Sequence, residues 1–388
     1  MNTTLSSYVT SQRFSVIRDM VARAGAYENV ISLSIGEPDF DTPTFVCDKA
    51  LQDARSGWTH YAPSNGDADL RAALLERIRS KTGIDYTGAN LLITSGAMHG
   101  LLAAMRTLLM PGDEVITPAP CFSDYQGHCG LFGGKLVQVP TRFEDGFAPD
   151  LEVMETYVTP RTRVLLLNSP CNPSGIVLSP ETLDKLAEFA IRHDLVVISD
   201  EVYDRLVFSG KAESIVTRPG MAERTLVLNS FSKAFAMTGW RVAYAYGPEW
   251  LMKELIKVIS YSIASTSTVG QRAAFYALTG PQEEFQAFCD AFQRRTALAA
   301  ARLNAMPGVR CLQPQGTFYL FPHVEAAEKD SYAFAIDLLD KEQVVIVPGF
   351  PFGPEETVRG CVRLACTVDE EKISIAMDRI EHYLKRYA

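Results

Sequence analysis

Thr225-Leu226-Val227-Leu228-Asn229-Ser230-Phe231-Ser232-Lys233 opens with four consecutive apolar or β-favouring residues and closes in a polar cluster that carries a lysine. A strand that shows no polar alternation is a strand covered on both faces. The same unit occurs three times upstream. Leu195-Val196-Val197-Ile198-Ser199 leads into Asp200-Glu201-Val202-Tyr203. Val164-Leu165-Leu166-Leu167 leads into Asn168-Ser169-Pro170-Cys171-Asn172-Pro173. Leu91-Leu92-Ile93-Thr94 leads into Ser95-Gly96-Ala97. Amphipathic stretches lie between the strands. In residues 97–110, Leu101, Leu102, Met105, Leu108 and Leu109 recur at helical spacing, and Pro111-Gly112-Asp113 stops that helix before the strand 114–117. Residues 183–193 read as a helix and 242–246 as a further strand. The alternation predicts an α/β chain with a mostly parallel sheet flanked by helices.

The chain has 388 residues, more than one hydrophobic core of about 250–300 residues accommodates. Two domains are therefore expected. Long helical patterns run from 249 to 304, and the remainder carries short strands at 318–321, 344–347 and 362–365. We expect an arm and part of a small domain in 1–35, a large ligand-binding domain in 36–300 and a small α+β domain in 301–388. A hydrophobic fraction of 47% and a charged fraction of 21% are ordinary globular usage and exclude disorder. The net charge of −9 argues against nucleic acid and against an anionic membrane surface as partners. None of the eight cysteines forms a C-x-x-C pair, so no metal is expected. Residues 1–12 lack the apolar core of a signal peptide, and no apolar run approaches the roughly 18 residues of a membrane span. A cytoplasmic enzyme acting on a small molecule is the expectation.

Ligands of open α/β sheets bind beyond the carboxyl ends of the strands. The four clusters above converge there, and bring a lysine, a carboxylate, asparagines and a glycine-led helix start. A pyridoxal cofactor needs a lysine for its aldehyde and a carboxylate to keep its ring nitrogen protonated. Its phosphate needs helix N-terminal amides, hydroxyls and a cation.

Residues 229–241, Asn-Ser-Phe-Ser-Lys-Ala-Phe-Ala-Met-Thr-Gly-Trp-Arg, resemble the pyridoxal-lysine signature of class I/II aminotransferases of the aspartate aminotransferase-like family. Residues 168–175 resemble its N-x-P-x-N-P-x-G stretch, 200–203 its D-E-x-Y, 36–43 its G-E-P-D-F-x-T-P opening, and Arg363 its carboxylate-binding arginine. The five features keep the family's order across residues 36 to 363. The resemblance implies a fold type I enzyme using pyridoxal 5'-phosphate, with Lys233 as the catalytic Schiff-base lysine and proton shuttle. It implies Asp200 on the ring nitrogen, and Tyr203 and Asn172 on the phenolic oxygen. Gly96, Ala97, Ser230 and Arg241 would hold the phosphate, and Phe122 would stack on the ring. Arg363, with Asn172 and the Gly36 backbone, would grip the substrate carboxylate. Tyr61 resembles the tyrosine that reaches a neighbouring subunit's phosphate, which implies a homodimer.

Each residue also has a plain structural reading. Ser230-x-x-Lys233 matches the S-x-x-K of penicillin-binding enzymes, yet no S-D-N or K-T-G follows. Asp200 suits a helix cap, Gly96 a tight turn, Phe122 the core, Arg363 an ion pair and Tyr61 the surface. The resemblance implies ping-pong transfer from an L-amino acid to a 2-oxo acid. β-Lyases and decarboxylases share fold and cofactor, so Lys233, Asp200 and Arg363 do not separate them from transaminases. A non-catalytic effector domain stands further off. Residues 261–270 supply no Arg or Lys for a second carboxylate, which disfavours a strict aspartate donor. Residues 159–163, 172–175 and 219–222 are similar to arginine–pyruvate aminotransferases.

Overall fold

In the computed structural model, which describes residues 5–11 and 15–387, the apolar runs line up in one seven-stranded sheet. Its strands are β1 (Leu91–Thr94), β2 (Glu114–Pro118), β3 (Lys135–Val139), β4 (Thr162–Asn168), β5 (Val196–Asp200), β6 (Thr225–Ser230) and β7 (Ala243–Tyr246). The spatial order is β1-β7-β6-β5-β4-β2-β3, and only β7 runs against its neighbours. Every residue of β1, β6 and β7 is buried, which is why these strands read as continuous apolar runs. Helices α1 (Ala97–Leu108), α2 (Asp124–Gly130), α3 (Pro180–Arg192) and α4 (Glu249–Ile263) belong to the layers beside the sheet. Leu101 and Met105 of α1 share a core with Leu251 and Leu255 of α4, while Leu183 and Leu186 of α3 pack with Leu165 and Val197 on the other face. The expected mostly parallel sheet flanked by helices is thus observed. β3 has no continuous apolar run to mark it in the sequence. Lying at the sheet edge, it is only partly covered, with Lys135 exposed and Val137 and Gln138 half-buried.

A second apolar cluster draws on both ends of the chain. Met20, Ile31 and Leu33 pack with Leu338, Val344, Ile373 and Met377. Ile31 pairs in parallel with Val344, and Ser32 with Val345. The strand Val362–Ala365 lies between 319–320 and 347–348, antiparallel to both. This layer sets residues 34–37 and Arg363 at the mouth of the sheet. No described helix is long and apolar enough to cross a membrane.

The turn after β5 is fixed from beneath by buried charge. Lys81 Nζ lies 2.8 Å from Glu201 Oε2 and 2.9 Å from Asp204 Oδ2, and the Ser199 hydroxyl donates to Glu201 Oε1 at 2.9 Å. Burial opposes a charged lysine, but Glu201 and Asp204 hold Lys81 well above its ordinary pKa. Replacing Lys81 by Met leaves the enclosed Glu201 without its cation and Asp204 with Arg77 alone, at 3.7 Å. Loss of one partner from a buried ionic group costs about 3–5 kcal/mol. Chemical denaturation of K81M should show that loss, and an unchanged midpoint would mean that the network contributes nothing.

Candidate active site

The carboxyl ends of β1, β4, β5 and β6 open onto a cavity of about 390 Å³. Of the residues that the sequence singled out, Gly36, Ala97, Phe122, Asn172, Asp200, Tyr203, Ser230, Lys233, Arg241 and Arg363 all line it. Gly96 sits just behind, against the Arg241 side chain. Tyr61 does not join them. It is 88% exposed, on a loop outside this cavity. That loop is nonetheless held firmly, for Thr268 Oγ1 donates to the His60 carbonyl at 2.6 Å and the Arg272 guanidinium lies 4.2 Å from the Trp58 ring.

Lys233 follows β6 by three residues, so its amine emerges at the sheet's carboxyl edge. Its Nζ donates to the Gly36 carbonyl oxygen. Enclosure pushes its pKa down to about 8, with Arg363 and Arg241 adding to the fall and Glu37 opposing it. Burial ranks first among these causes.

Asp200, the last residue of β5, is buried. Desolvation pushes its pKa up to about 6, against a hydrogen bond from the Tyr125 hydroxyl at 2.7 Å. No cation among the described residues pairs with it. The Asn168 side chain ties the β4 and β5 ends together: Nδ2 donates to the Asp200 carbonyl at 2.9 Å and Oδ1 accepts from the Asn172 amide at 2.8 Å.

Arg363 is 1% exposed and still has no carboxylate partner among the described residues. Its Nη1 donates to Asn172 Oδ1 at 3.1 Å and its Nη2 to the Ser34 carbonyl at 2.7 Å, while Nε has no partner among the described residues. The guanidinium lies 4.6 Å from the Tyr319 ring and 5.0 Å from the Phe352 ring. A buried cation needs an anion, and here the open cavity is where one fits. The surface ion-pair reading of Arg363 is therefore excluded.

Beside it is a cradle for a second anion. Gly96 has φ +83°, so the backbone requires glycine, and a Cβ there would displace the Arg241 guanidinium. The first amides of α1 have no acceptor within the helix, and Ala97 and Met98 of that first turn line the cavity. Arg241 itself has φ +54°, and its Nη1 donates to the Thr238 carbonyl at 3.0 Å. The Ser230 hydroxyl oxygen accepts from the Ser232 amide at 3.0 Å.

Two contributors escaped the sequence reading. Tyr125 lies one turn beyond Phe122, and the two rings meet edge to face at 5.5 Å. Its spacing from Phe122 carried no motif. Tyr319 walls the cavity, lies 3.4 Å from the Tyr203 hydroxyl, and fills the space that a side chain on Gly36 would need. Only the three-dimensional pairing of 319–320 with 364–365 brings it there.

Residues 28–380 match the protein family described as aminotransferase class I and II. The chain is 39% identical over 376 residues to aromatic-amino-acid aminotransferase 2 of Thermococcus litoralis, which covers 96% of each protein. It is 39% identical over 360 residues to the arginine–pyruvate transaminase AruH of Pseudomonas aeruginosa, covering 93% of this chain and 91% of that one. The crystal structure of Thermus thermophilus aspartate aminotransferase with maleate superposes with a TM-score of 0.92 at 36% identity, over 98% of this chain and all of that one.

Tyr125→Phe removes the hydrogen bond that stabilises the ionised form of Asp200. The Asp200 pKa in the cofactor-free protein should then rise above about 6. A carboxyl-carbon NMR titration measures it, and a value that stays put would show that the tyrosine does not tune the carboxylate.

Proposed function

The chain belongs to the class I and II aminotransferases, enzymes that carry an amino group from an amino acid to a 2-oxo acid, and on that premise we propose that its cavity holds pyridoxal 5'-phosphate with Lys233 as the amine on the cofactor aldehyde. The single observation that carries the reading is the convergence of Lys233, Asp200 and Arg363 on one cavity. Each is a polar group left there without the opposite charge that it needs. The residues fit the cofactor: an unpaired carboxylate for a cationic ring nitrogen, an amine of low pKa, and a glycine turn beside Arg241 for a phosphate.

When bound, pyridoxal phosphate supplies an electron-withdrawing ring that stabilises negative charge at the substrate Cα. Arg363 binds the α-carboxylate through its fork, with Asn172 fixing the orientation of the fork. Asp200 would hold the ring nitrogen's proton in place. Tyr203 and Asn172 would serve the phenolic oxygen, Phe122 would cover the ring, and Gly96, Ala97, Ser230 and Arg241 would hold the phosphate. Lys233 Nζ takes the Cα proton, and its lowered pKa keeps a neutral amine available near pH 8. The Gly36 carbonyl, to which Nζ donates, holds that amine at the cavity floor. Donor and acceptor use the cavity in turn, which is ping-pong transfer.

The reported relatives are named for aromatic and basic donors and the structural neighbour for aspartate, so similarity leaves the donor to experiment. None of these names supports the lyase, decarboxylase or effector-domain readings. We further propose a homodimer in which Tyr61 serves the neighbouring subunit's phosphate. The supporting fact is a fixed loop that presents an 88% exposed tyrosine outside its own cavity. The division near residue 300 is part of the same proposal, supported by the separate cluster of Met20, Ile31 and Leu33 with residues from 299 to 384. Eight free thiols fit the reducing cytoplasm.

The test is the visible spectrum of the cofactor-loaded protein, titrated with single amino acids without an acceptor. A yellow band that one of them bleaches establishes the half-reaction and names the donor, whereas no band after incubation with pyridoxal phosphate overturns the reading. Lys233→Ala should abolish turnover. Arg363→Lys should raise KM for donor and acceptor roughly tenfold or more, because an ammonium cannot make the forked pair of charged hydrogen bonds. Uptake of pyridoxal phosphate by the cofactor-free protein needs the neutral amine. Its rate should climb with pH to about 8 and then level. A rate still climbing at pH 10 would mean an ordinary lysine.

A further inference from the structure

His99 stands on the first turn of α1, directly after the residues that line the cavity, and carries no recognised motif. Its two ring nitrogens have different partners. Nδ1 lies 3.2 Å from the Ser95 amide nitrogen, and Nε2 lies 2.7 Å from Ser262 Oγ on the last turn of α4. A backbone amide can only donate, so Nδ1 must present its lone pair. The Ser262 hydroxyl gives its own hydrogen to the Ile259 carbonyl at 3.0 Å, so its oxygen accepts and Nε2 carries the ring proton. The partners thereby fix one neutral tautomer. They also form one line of hydrogen bonds from the turn through the imidazole to a separate helix.

Among the described residues, the turn that this line restrains has little else to hold it from outside. Gly96 N and Thr94 Oγ1 bond only to carbonyls of residues 94 and 96. Gly96 sits at φ +83°, against Arg241. A small rotation there would re-aim the Ala97 and Met98 amides.

We propose that His99 is a positioning residue of the anion cradle, which holds residues 95–97 in the shape that receives the cofactor's phosphate. The inference rests on reading that turn as the phosphate site. Burial keeps the ring neutral by lowering its pKa below the ordinary histidine value, which agrees with the tautomer that the partners require.

The experiment measures equilibrium binding of three probes to cofactor-free protein: pyridoxal phosphate, pyridoxal and inorganic phosphate. The variants are His99→Leu, which removes both bonds, and His99→Asn, whose Oδ1 stands close to the place of Nδ1. Ser262→Ala removes only the outer anchor. Losing one restraining hydrogen bond should cost His99→Leu roughly tenfold in affinity for pyridoxal phosphate and for phosphate, with pyridoxal affinity unchanged. His99→Asn should recover most of that loss. The inference is overturned if His99→Leu weakens pyridoxal as much as its phosphate, if it weakens neither, or if His99→Asn is as poor as His99→Leu. Equal affinity of the unaltered protein for pyridoxal and pyridoxal phosphate would overturn the phosphate reading of the turn, and this inference with it. Should His99→Leu fail to fold, Ser262→Ala reads the same contrast on a smaller scale, and no selective loss there would overturn the inference.

Discussion

Burial of ionisable groups without opposite charges is the constraint around which this molecule is arranged. Lys233, Asp200 and Arg363 face one cavity, and none has an ion-pair partner among the described residues. Taking such groups out of water is costly, so each is supported by hydrogen bonds that stop short of neutralising it. Lys233 has the Gly36 carbonyl, Asp200 the Tyr125 hydroxyl, and Arg363 the Ser34 carbonyl and Asn172. The pKa directions record the outcome: burial lowers Lys233 and raises Asp200. Incomplete compensation of this kind is expected where a ligand supplies the missing charges.

The contrast with the Lys81 network is instructive. It lies just beneath the same strand end, and there every carboxylate has its cation. Glu201 is next to Asp200 in sequence and shares the D-E-x-Y motif, yet its charge is used up in structure. Adjacent acidic residues on the end of a strand point to opposite faces. One therefore faces the cavity and the other the support below.

The alternation of apolar runs and amphipathic stretches made the sheet legible because its inner strands are covered on both faces. The edge strand Lys135–Val139 is half-exposed and left no such run. The site residues at strand ends were legible for the same reason: each follows directly on a readable strand. Tyr125 and Tyr319 were not, because Tyr125 acts from within a short helix and Tyr319 arrives through antiparallel pairing with residues far away in the chain. His99 was visible as a residue but not as a participant. Its partners, Ser95 and Ser262, come together only when α1 packs on α4.

The pairing of Ile31 with Val344 has a consequence for synthesis. On the ribosome the chain emerges amino end first, at roughly 5–20 residues per second. The partner of Ile31 is made roughly 300 residues later, which at that pace is some 15–60 seconds. During that interval Met20, Ile31 and Leu33 have no core to enter, although the seven-stranded sheet can already assemble. The nascent chain therefore carries an apolar segment past its own folded body, and this is the stretch that a chaperone would be expected to hold until residue 344 and its neighbours have been made.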